Sequence, residues 1–104
     1  DSPVVDVNSM GVLYSAATRR DPQTREPEGG WRPEQLINRA EAIRAYTAGS
    51  DAAAQRNGEA GVLTAGKLAD IAVLDTDLLA CADDEILDAR VTATWMGGRC
   101  VFEA

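Results

Sequence analysis

Residues 61–75 read Gly-Val-Leu-Thr-Ala-Gly-Lys-Leu-Ala-Asp-Ile-Ala-Val-Leu-Asp, and this stretch decides how the second half of the chain folds. Gly66 and Lys67 mark a tight turn, because glycine adopts the positive φ that a sharp turn needs. The next four apolar residues, 71–74, lie between two aspartates. A short apolar run without polar alternation is typical of a strand that is covered on both faces. The stretch therefore predicts a turn that leads into a buried strand.

A glycine pair downstream, Gly97-Gly98, predicts a β-hairpin with strands over residues 90–96 and 99–102. A two-residue glycine loop fits the primed turns that connect antiparallel strands. The hairpin can lie beside the 71–74 strand in one sheet. The predicted register places two pairs of residues opposite each other: Trp95 with Cys100, and Ala93 with Phe102.

Helices are predicted in the first half of the chain. Asn8 or Ser9 caps a helix that runs to about Arg20, since polar side chains at this position accept hydrogen bonds from free backbone N–H groups. Its apolar positions follow helical spacing, which gives the helix one apolar face. These positions are Met10, Leu13, Tyr14 and Ala17.

Further helical signals follow between residues 33 and 58. One helical turn is expected over residues 33–36. Asn38 then caps a second helix, with Glu41 placed three residues later as in a capping box. Gly49 is expected to interrupt this helix, and Ser50 is expected to cap a third one over residues 51–56.

The polar loop from Asp21 to Gly30 contains two prolines and ends in a glycine pair. Loops of this length are often functional or disordered. Trp31 closes the loop, and it either pins the loop to the core or lines a pocket; we favour the pinning role.

Two further clusters have both a chemical and a structural interpretation. Asp83, Asp84 and Glu85 could bind a cation, but acids at the positive end of a short helix explain them better. Lys67 and Asp70 could form a catalytic pair. Their place beside the predicted strand favours structural roles instead, with Lys67 bonding to carbonyls of the turn and Asp70 capping or pairing at the start of the strand.

The composition limits the possible functions. The chain has 104 residues, a formal charge of −7 and no histidine, so it offers no histidine-based metal site or catalytic triad of its own. The negative charge disfavours nucleic acids and anionic membranes as partners. No apolar stretch approaches the roughly 18 residues of a membrane-spanning helix.

Cys81 and Cys100 could form a disulfide, but buried reduced thiols in a cytoplasmic protein are the better interpretation. Because Asp1 is not a methionine, we expect the chain to be a piece of something longer.

The motif Gly61-x-Leu63-x-x-Gly66-Lys67-x-Ala69-Asp70-x-x-Val73-Leu74-Asp75 resembles the C-terminal signature of metal-dependent amidohydrolases. The order and spacing of other motifs resemble the YtcJ-like subgroup, amidohydrolase family 3, over essentially the whole chain. These motifs are Asp1-Ser2-Pro3-Val4, the segment 11–20, Gly29-Gly30-Trp31 and the segment 41–47, while the segment from Val91 to Glu103 resembles the last hairpin of the metal-dependent amidohydrolases in general.

The resemblance implies an α/β enzyme with a TIM-like barrel and a small β-sandwich. Residues 1–60 would be the end of the barrel, containing its last βα unit and the helices that follow, and residues 61–104 would be the C-terminal sandwich strands. Asp1 would be the aspartate that contacts a divalent metal, often zinc, and acts as general base for water attacking a non-peptide C–N bond. Most metal ligands in this family are histidines, which this chain lacks.

Two functional hypotheses follow. In the first, the chain is the C-terminal portion of an amidohydrolase, and it is inactive and free of metal by itself. In the second, it is a small α+β module with a structural or self-associating role. Its expected partners are the missing barrel or further copies of the chain, which would form a dimer or a larger oligomer through apolar faces. Whether the chain alone is an enzyme, and on which substrate, stays open at this stage.

Overall fold

The computed structural model describes residues 3–4 and 7–104, and the fold is a mixture of helices and one antiparallel sheet. The chain groups into two units. The first unit contains the residues up to Ala42 and the segment Thr76–Ala89, and the second contains Ile43–Asp75 and Arg90–Ala104. The predicted division at residue 60 separates barrel residues from sandwich residues of a larger enzyme, and it stays a prediction. The elements are α1 (Ser9–Thr18), a 3-10 helix (Pro33–Gln35), α2 (Arg39–Tyr46), α3 (Ala48–Ala53), β1 (Ile71–Leu74), α4 (Glu85–Asp88), β2 (Val91–Met96) and β3 (Arg99–Glu103).

Helix α1 begins and ends with the caps that its sequence provides. The Asn8 side chain accepts a hydrogen bond from the Met10 N–H at 3.1 Å, which confirms the predicted N-cap. The helix ends at Thr18, because Arg19 adopts a left-handed conformation with φ of 58° and ψ of 30°. The Arg19 N–H then donates to the carbonyl of Ser15 at 2.8 Å, which satisfies one of the last free carbonyls of the helix.

The core of the first unit lies between α1 and α4, which pack against each other. Tyr14 is completely buried, and Ile86 of α4 is 2% exposed. Met10 and Leu13 are also buried, as their spacing predicts, whereas Ala17 is only partly buried. Burying large apolar side chains of this kind stabilises a fold by roughly 1.5–3 kcal/mol each. The segment between β1 and β2 therefore returns to complete the core around α1.

Helix α2 has the predicted capping box. The backbone N–H of Asn38 donates to the Glu41 carboxylate at 3.0 Å, and the Glu41 N–H donates to the Asn38 side chain at 2.8 Å. The expected turn over residues 33–36 is present as the 3-10 helix Pro33–Gln35. These local signals were sufficient because both depend on residues at most three positions apart.

The predicted break at Gly49 and the predicted bounds of the third helix are wrong. The chain breaks at Thr47, whose φ and ψ are −105° and −86°, and α3 already begins at Ala48. Ser50 therefore lies within the helix, and its hydroxyl donates to the Tyr46 carbonyl at 2.9 Å instead of capping. Gly61 lies against this break, so close to Thr47 that a β-carbon on Gly61 would be 2.7 Å from the Thr47 carbonyl oxygen.

The three strands form an antiparallel sheet in the order β1-β2-β3. The turn residues Gly97 and Gly98 both have positive φ, 57° and 79°, as a type I′ turn requires. Trp95 pairs with Cys100 as predicted, but a bulge between Thr94 and Trp95 shifts the rest of the register. Phe102 therefore lies opposite Thr94, and the predicted pairing of Ala93 with Phe102 is wrong. A bulge adds one residue to one strand, which period-two counting does not anticipate.

The residues of this chain do not bury the sheet on both faces, and the predicted cover of the 71–74 strand, which concerns strands outside this chain, stays a prediction. Val73 of β1 is 43% exposed, and Phe102 of β3 is 48% exposed. Trp95 of β2 is 41% exposed. The apolar run is a strand, as predicted, but what covers its faces depends on residues far away in sequence.

Both cysteines are free. Cys81 is partly buried, but Cys100 lies on the exposed strand β3, so the prediction that both thiols are buried is wrong for Cys100. Among the described residues, no helix is both long and apolar enough to cross a membrane.

A buried carboxylate organises the second unit. Asp51 of α3 is 6% exposed, and its two oxygens accept hydrogen bonds from the N–H groups of Gly58 at 2.8 Å and Ala60 at 3.0 Å. Arg56 adds an ion pair at 3.8 Å. One side chain thus holds the irregular backbone that leads from α3 towards the stretch 61–75.

We expect Asp51→Ala to lower the free energy of unfolding by about 2–4 kcal/mol, because it leaves two N–H groups without their acceptor. Asp88→Ala, at an exposed position of α4, is the matched control and should change stability by less than about 0.5 kcal/mol. Urea denaturation monitored by circular dichroism measures both. Equal effects of the two substitutions would contradict the role assigned to Asp51.

Candidate functional site

Asp1, the residue that the family resemblance singles out, lies outside the described residues. Its role as general base and metal contact therefore stays a prediction. The site is approached here through its neighbourhood in sequence, namely α1, the loop of residues 21–30 and the segments that hold this loop.

The loop is held at its base by Asp21. The Asp21 carboxylate accepts hydrogen bonds from the backbone N–H groups of Gln23 at 2.8 Å and Thr24 at 2.9 Å. These bonds, that of Thr24 first, favour the charged form and lower the pKa of Asp21 below its usual value of 3.8. Backbone bonds join Asp21 to Glu26 and Arg25 across the loop at 2.9 Å each. The loop therefore has internal structure of its own.

Arg25 ties the loop to the core of the first unit. Its guanidinium lies 5.6 Å from the centre of the Tyr14 ring and forms an ion pair with Asp84 at 3.3 Å. The Tyr14 hydroxyl donates to the same Asp84 oxygen at 3.3 Å. Arg25 also donates to the carbonyl of Pro22. Asp84 thus joins a loop residue, a buried helix residue and the start of α4.

The end of the loop is fixed by Gly30 and Trp31. A β-carbon at Gly30, which has φ of 86°, would lie 2.3 Å from the Thr18 carbonyl oxygen, so only glycine fits there. The Trp31 N–H donates to the Arg19 carbonyl at 2.8 Å, and the Arg19 Nε donates to the Trp31 carbonyl at 3.1 Å. The Trp31 side chain is 59% exposed. Trp31 therefore attaches the end of the loop to Arg19 through its backbone, whereas its ring is not buried in the core.

The acidic segment 83–85 forms ion pairs with arginines. Arg39 of α2 forms an ion pair with Asp83 at 2.6 Å and donates to the carbonyls of Cys81 and, at 3.1 Å, Leu78. The hydrogen bond that the Arg39 guanidinium donates to the Asp83 carboxylate is the main reason that the pKa of Arg39 rises above its ordinary value. The predicted short helix follows as α4. Its two preceding acids bind arginines from distant parts of the sequence, and no local signal indicates this pairing.

The described residues do not provide a metal centre. Over residues 3–4 and 7–104, no three Cys, Asp or Glu side chains come together in a group that could hold a metal ion, and the sequence has no histidine. We therefore derive no reaction step through a metal from these residues.

Lys67 and Asp70 do not form a catalytic pair in this structure. Asp70 directly precedes β1, and its carboxylate accepts a hydrogen bond from the Gly97 N–H at 2.8 Å. Asp70 therefore caps the turn that joins β2 and β3, and capping was one of its predicted roles. Lys67 lies instead at a shallow cavity of about 390 Å³ in the second unit. The residues that line it are Asn57, Gly58, Glu59, Gly66, Lys67 and Leu68.

Comparison with known proteins identifies the family. The model of the amidohydrolase family matches residues 1–102, so the chain belongs to this family. It is 35% identical over 103 residues to an N-substituted formamide deformylase from Arthrobacter pascens, a match that covers 99% of this chain and 18% of the relative. It is 31% identical over 105 residues to the protein LONG AFTER FAR-RED 3 from Arabidopsis thaliana, covering 98% of this chain and 17% of the relative.

The chain therefore spans less than a fifth of the length of these two relatives. No solved structure matches the chain. The family match confirms the resemblance that was drawn from the motifs.

We expect Tyr14→Phe to lower the free energy of unfolding by about 1 kcal/mol, because it removes the hydroxyl that donates to the charged Asp84 while leaving the ring in place. Tyr46→Phe is the matched control, since Tyr46 is 45% exposed. Chemical denaturation of both variants measures the difference. If both variants match the unsubstituted chain, the Tyr14 hydroxyl does not stabilise the fold.

We also expect the Asp21 carboxyl to titrate below 3.8 in the folded chain. A lowered folded pKa means that this group stabilises the loop above its unfolded pKa and that the contribution is lost as pH falls through the folded value. NMR titration of the carboxyl carbon, with the amide shifts of Gln23 and Thr24 following the same midpoint, checks this. Asp21→Asn should abolish the coupled amide shifts. A midpoint at or above 3.8 would contradict the assignment.

Proposed function

We propose that this chain is the C-terminal portion of a metal-dependent hydrolase that cleaves non-peptide C–N bonds. The observation that carries the proposal is the family match over residues 1–102. The 35% identical relative supports the reaction class, because removing a formyl group from a substituted nitrogen breaks a C–N bond.

The finer architecture follows from the same proposal. Residues 1–60 are the end of a TIM-like barrel with the helices that follow it, and residues 61–104 are the last strands of a small β-sandwich. The half-exposed faces of the β1-β2-β3 sheet support this assignment, because the missing sandwich strands would cover such faces. The enzyme would be cytoplasmic.

Asp1 is proposed as the carboxylate that contacts the metal and acts as general base in the full-length enzyme. Since the described residues contain no metal-holding group, the other ligands would come from the rest of the polypeptide. Zinc or another divalent ion bound there would lower the pKa of a bound water. The chain by itself is proposed to be inactive and to hold no metal.

The loop of residues 21–30 is proposed to lie over the substrate pocket of the full-length enzyme. Its bracing by Asp21, Arg25 and Trp31 supports this placement, because a loop that borders a pocket works best when its conformation is defined. The substrate side of this pocket would be formed by residues outside this chain.

A second candidate function, a module that associates with itself or with the barrel, is supported by the exposed apolar side chains of the sheet. Val101 and Phe102 are each 48% exposed, and Met96 is 67% exposed. Faces of this kind commonly become interfaces. Size-exclusion chromatography with light scattering tests it: a dimer or larger oligomer supports the proposal, and a monomer at all concentrations contradicts it.

The enzymatic proposal is tested in the full-length polypeptide. We expect Asp1→Asn, in the numbering used here, to lower kcat by at least about 100-fold, as loss of a general base does. Asp88→Asn, an exposed carboxylate on α4, should leave kcat unchanged. The 104-residue chain alone should bind no stoichiometric zinc and hydrolyse no N-acyl amine. An active Asp1→Asn enzyme would contradict the role of Asp1, and zinc-dependent hydrolysis by the 104-residue chain would contradict its inactivity.

A further inference from the structure

Two arginines lie against one exposed tryptophan at the end of the 21–30 loop. The guanidinium carbons of Arg19 and Arg32 each lie 5.1 Å from the centre of the Trp31 ring, and Trp31 is 59% exposed. The two positive groups therefore lie within about twice that distance of each other, beside a flat apolar surface. We propose that these three residues form a binding site for a planar organic carboxylate.

No carboxylate in the described part of the chain forms an ion pair with either arginine of this cluster. Three other arginines, Arg25, Arg39 and Arg56, each form an ion pair with an aspartate. Arg19 and Arg32 form none with the described carboxylates, although the chain carries seventeen acidic residues and a formal charge of −7. In so acidic a chain, two guanidinium groups on the same ring that have no ion-pair partner among the described carboxylates are available for an external anion.

The backbone conformation of Arg19 and its two hydrogen bonds with Trp31 fix the position of Arg19. Arg19 adopts a left-handed conformation that ends α1, and its Nε donates to the Trp31 carbonyl at 3.1 Å. The Trp31 N–H returns a bond to the Arg19 carbonyl at 2.8 Å. The terminal nitrogens of the Arg19 guanidinium remain for a ligand. Since side chain and backbone are already held, binding would cost little conformational entropy.

Arg32 is also held in an unusual conformation. Its φ of 50° and ψ of 65° lie in the left-handed region, which is uncommon for a residue with a side chain, and Pro33 follows directly. Strained backbone persists where the surrounding structure requires it, and it is concentrated at ligand sites. In this conformation the Arg32 guanidinium lies over the Trp31 ring, and it forms no ion pair with a described carboxylate.

The chemistry of the cluster selects the ligand class. A guanidinium matches the two oxygens of a carboxylate with two parallel hydrogen bonds, and its fork is rigid. The part of the indole ring that the two guanidinium groups leave exposed favours a flat apolar body next to that carboxylate. An aromatic or unsaturated carboxylate satisfies both groups, whereas a neutral amide of the same shape satisfies only the ring. This proposal does not depend on the proposed hydrolase function.

The test uses the 104-residue chain with Trp95→Phe, which leaves Trp31 as the only tryptophan. Benzoate is titrated against Trp31 fluorescence at constant ionic strength, and benzamide is the neutral control. We expect a saturable change with benzoate and none with benzamide. Arg32→Gln should weaken benzoate binding by about tenfold, the loss expected for one charge-assisted pair.

Arg44→Gln is the matched control, because Arg44 is an exposed arginine of α2 outside the cluster and should leave binding unchanged. Arg19→Gln is also expected to weaken binding; because Arg19 ends α1, circular dichroism must first show that this variant is folded. Arg32→Lys keeps the charge but removes the fork, and it should bind benzoate more weakly than the parent. A linear response to benzoate, an equal response to benzamide, or equal loss in Arg44→Gln and Arg32→Gln would overturn the proposal.

Discussion

The first unit depends on one buried aromatic side chain with a polar end. Tyr14 is completely buried in α1, and its hydroxyl reaches Asp84 at the start of α4. Because an unsatisfied buried hydroxyl is costly, the position of α4 is coupled to that of α1. The Arg25 guanidinium pairs with the same carboxylate and lies over the same ring, so the 21–30 loop is attached to this contact as well. One tyrosine thus connects the core to the loop that a substrate pocket would need.

Asp51 has the corresponding role in the second unit. The backbone from Arg56 to Ala60 includes residues with positive φ and no regular hydrogen bonding, and a buried carboxylate supplies the missing acceptors. Gly61, the next residue after this backbone segment, lies so close to Thr47 that a side chain does not fit at this position. In both units a small core is supplemented by a polar side chain that satisfies backbone or hydroxyl groups. This is how short elements, several with fewer than seven residues, keep defined positions.

Membership in the amidohydrolase family was predictable because its evidence lies in glycine and aspartate positions that local turns require. Gly66, Gly97 and Asp70 all have the conformations or caps that their motif positions indicate. The site itself was less predictable. Arg25 and Asp84 are 59 positions apart in the sequence, and nothing local to either residue shows that they pair. The same holds for Arg39 and Asp83, which meet only because the segment after β1 returns to the first unit.

The sequence by itself determined the capping of α1 and α2, the hairpin turn, the strand at 71–74 and the family, because each depends on residues close together in the chain. Only the tertiary structure decided the start of α3, the bulge in β2 and the exposure of Trp31. Contacts between residues distant in sequence accompany each of these: Gly61 lies against Thr47, β3 pairs with β2, and Gly30 lies against Thr18 beside Trp31. The stretch 61–75 has features of both kinds, some determined by local sequence and some by tertiary packing. Its local pattern specified a turn and a strand, but the cover on that strand depends on packing partners, which no local pattern encodes.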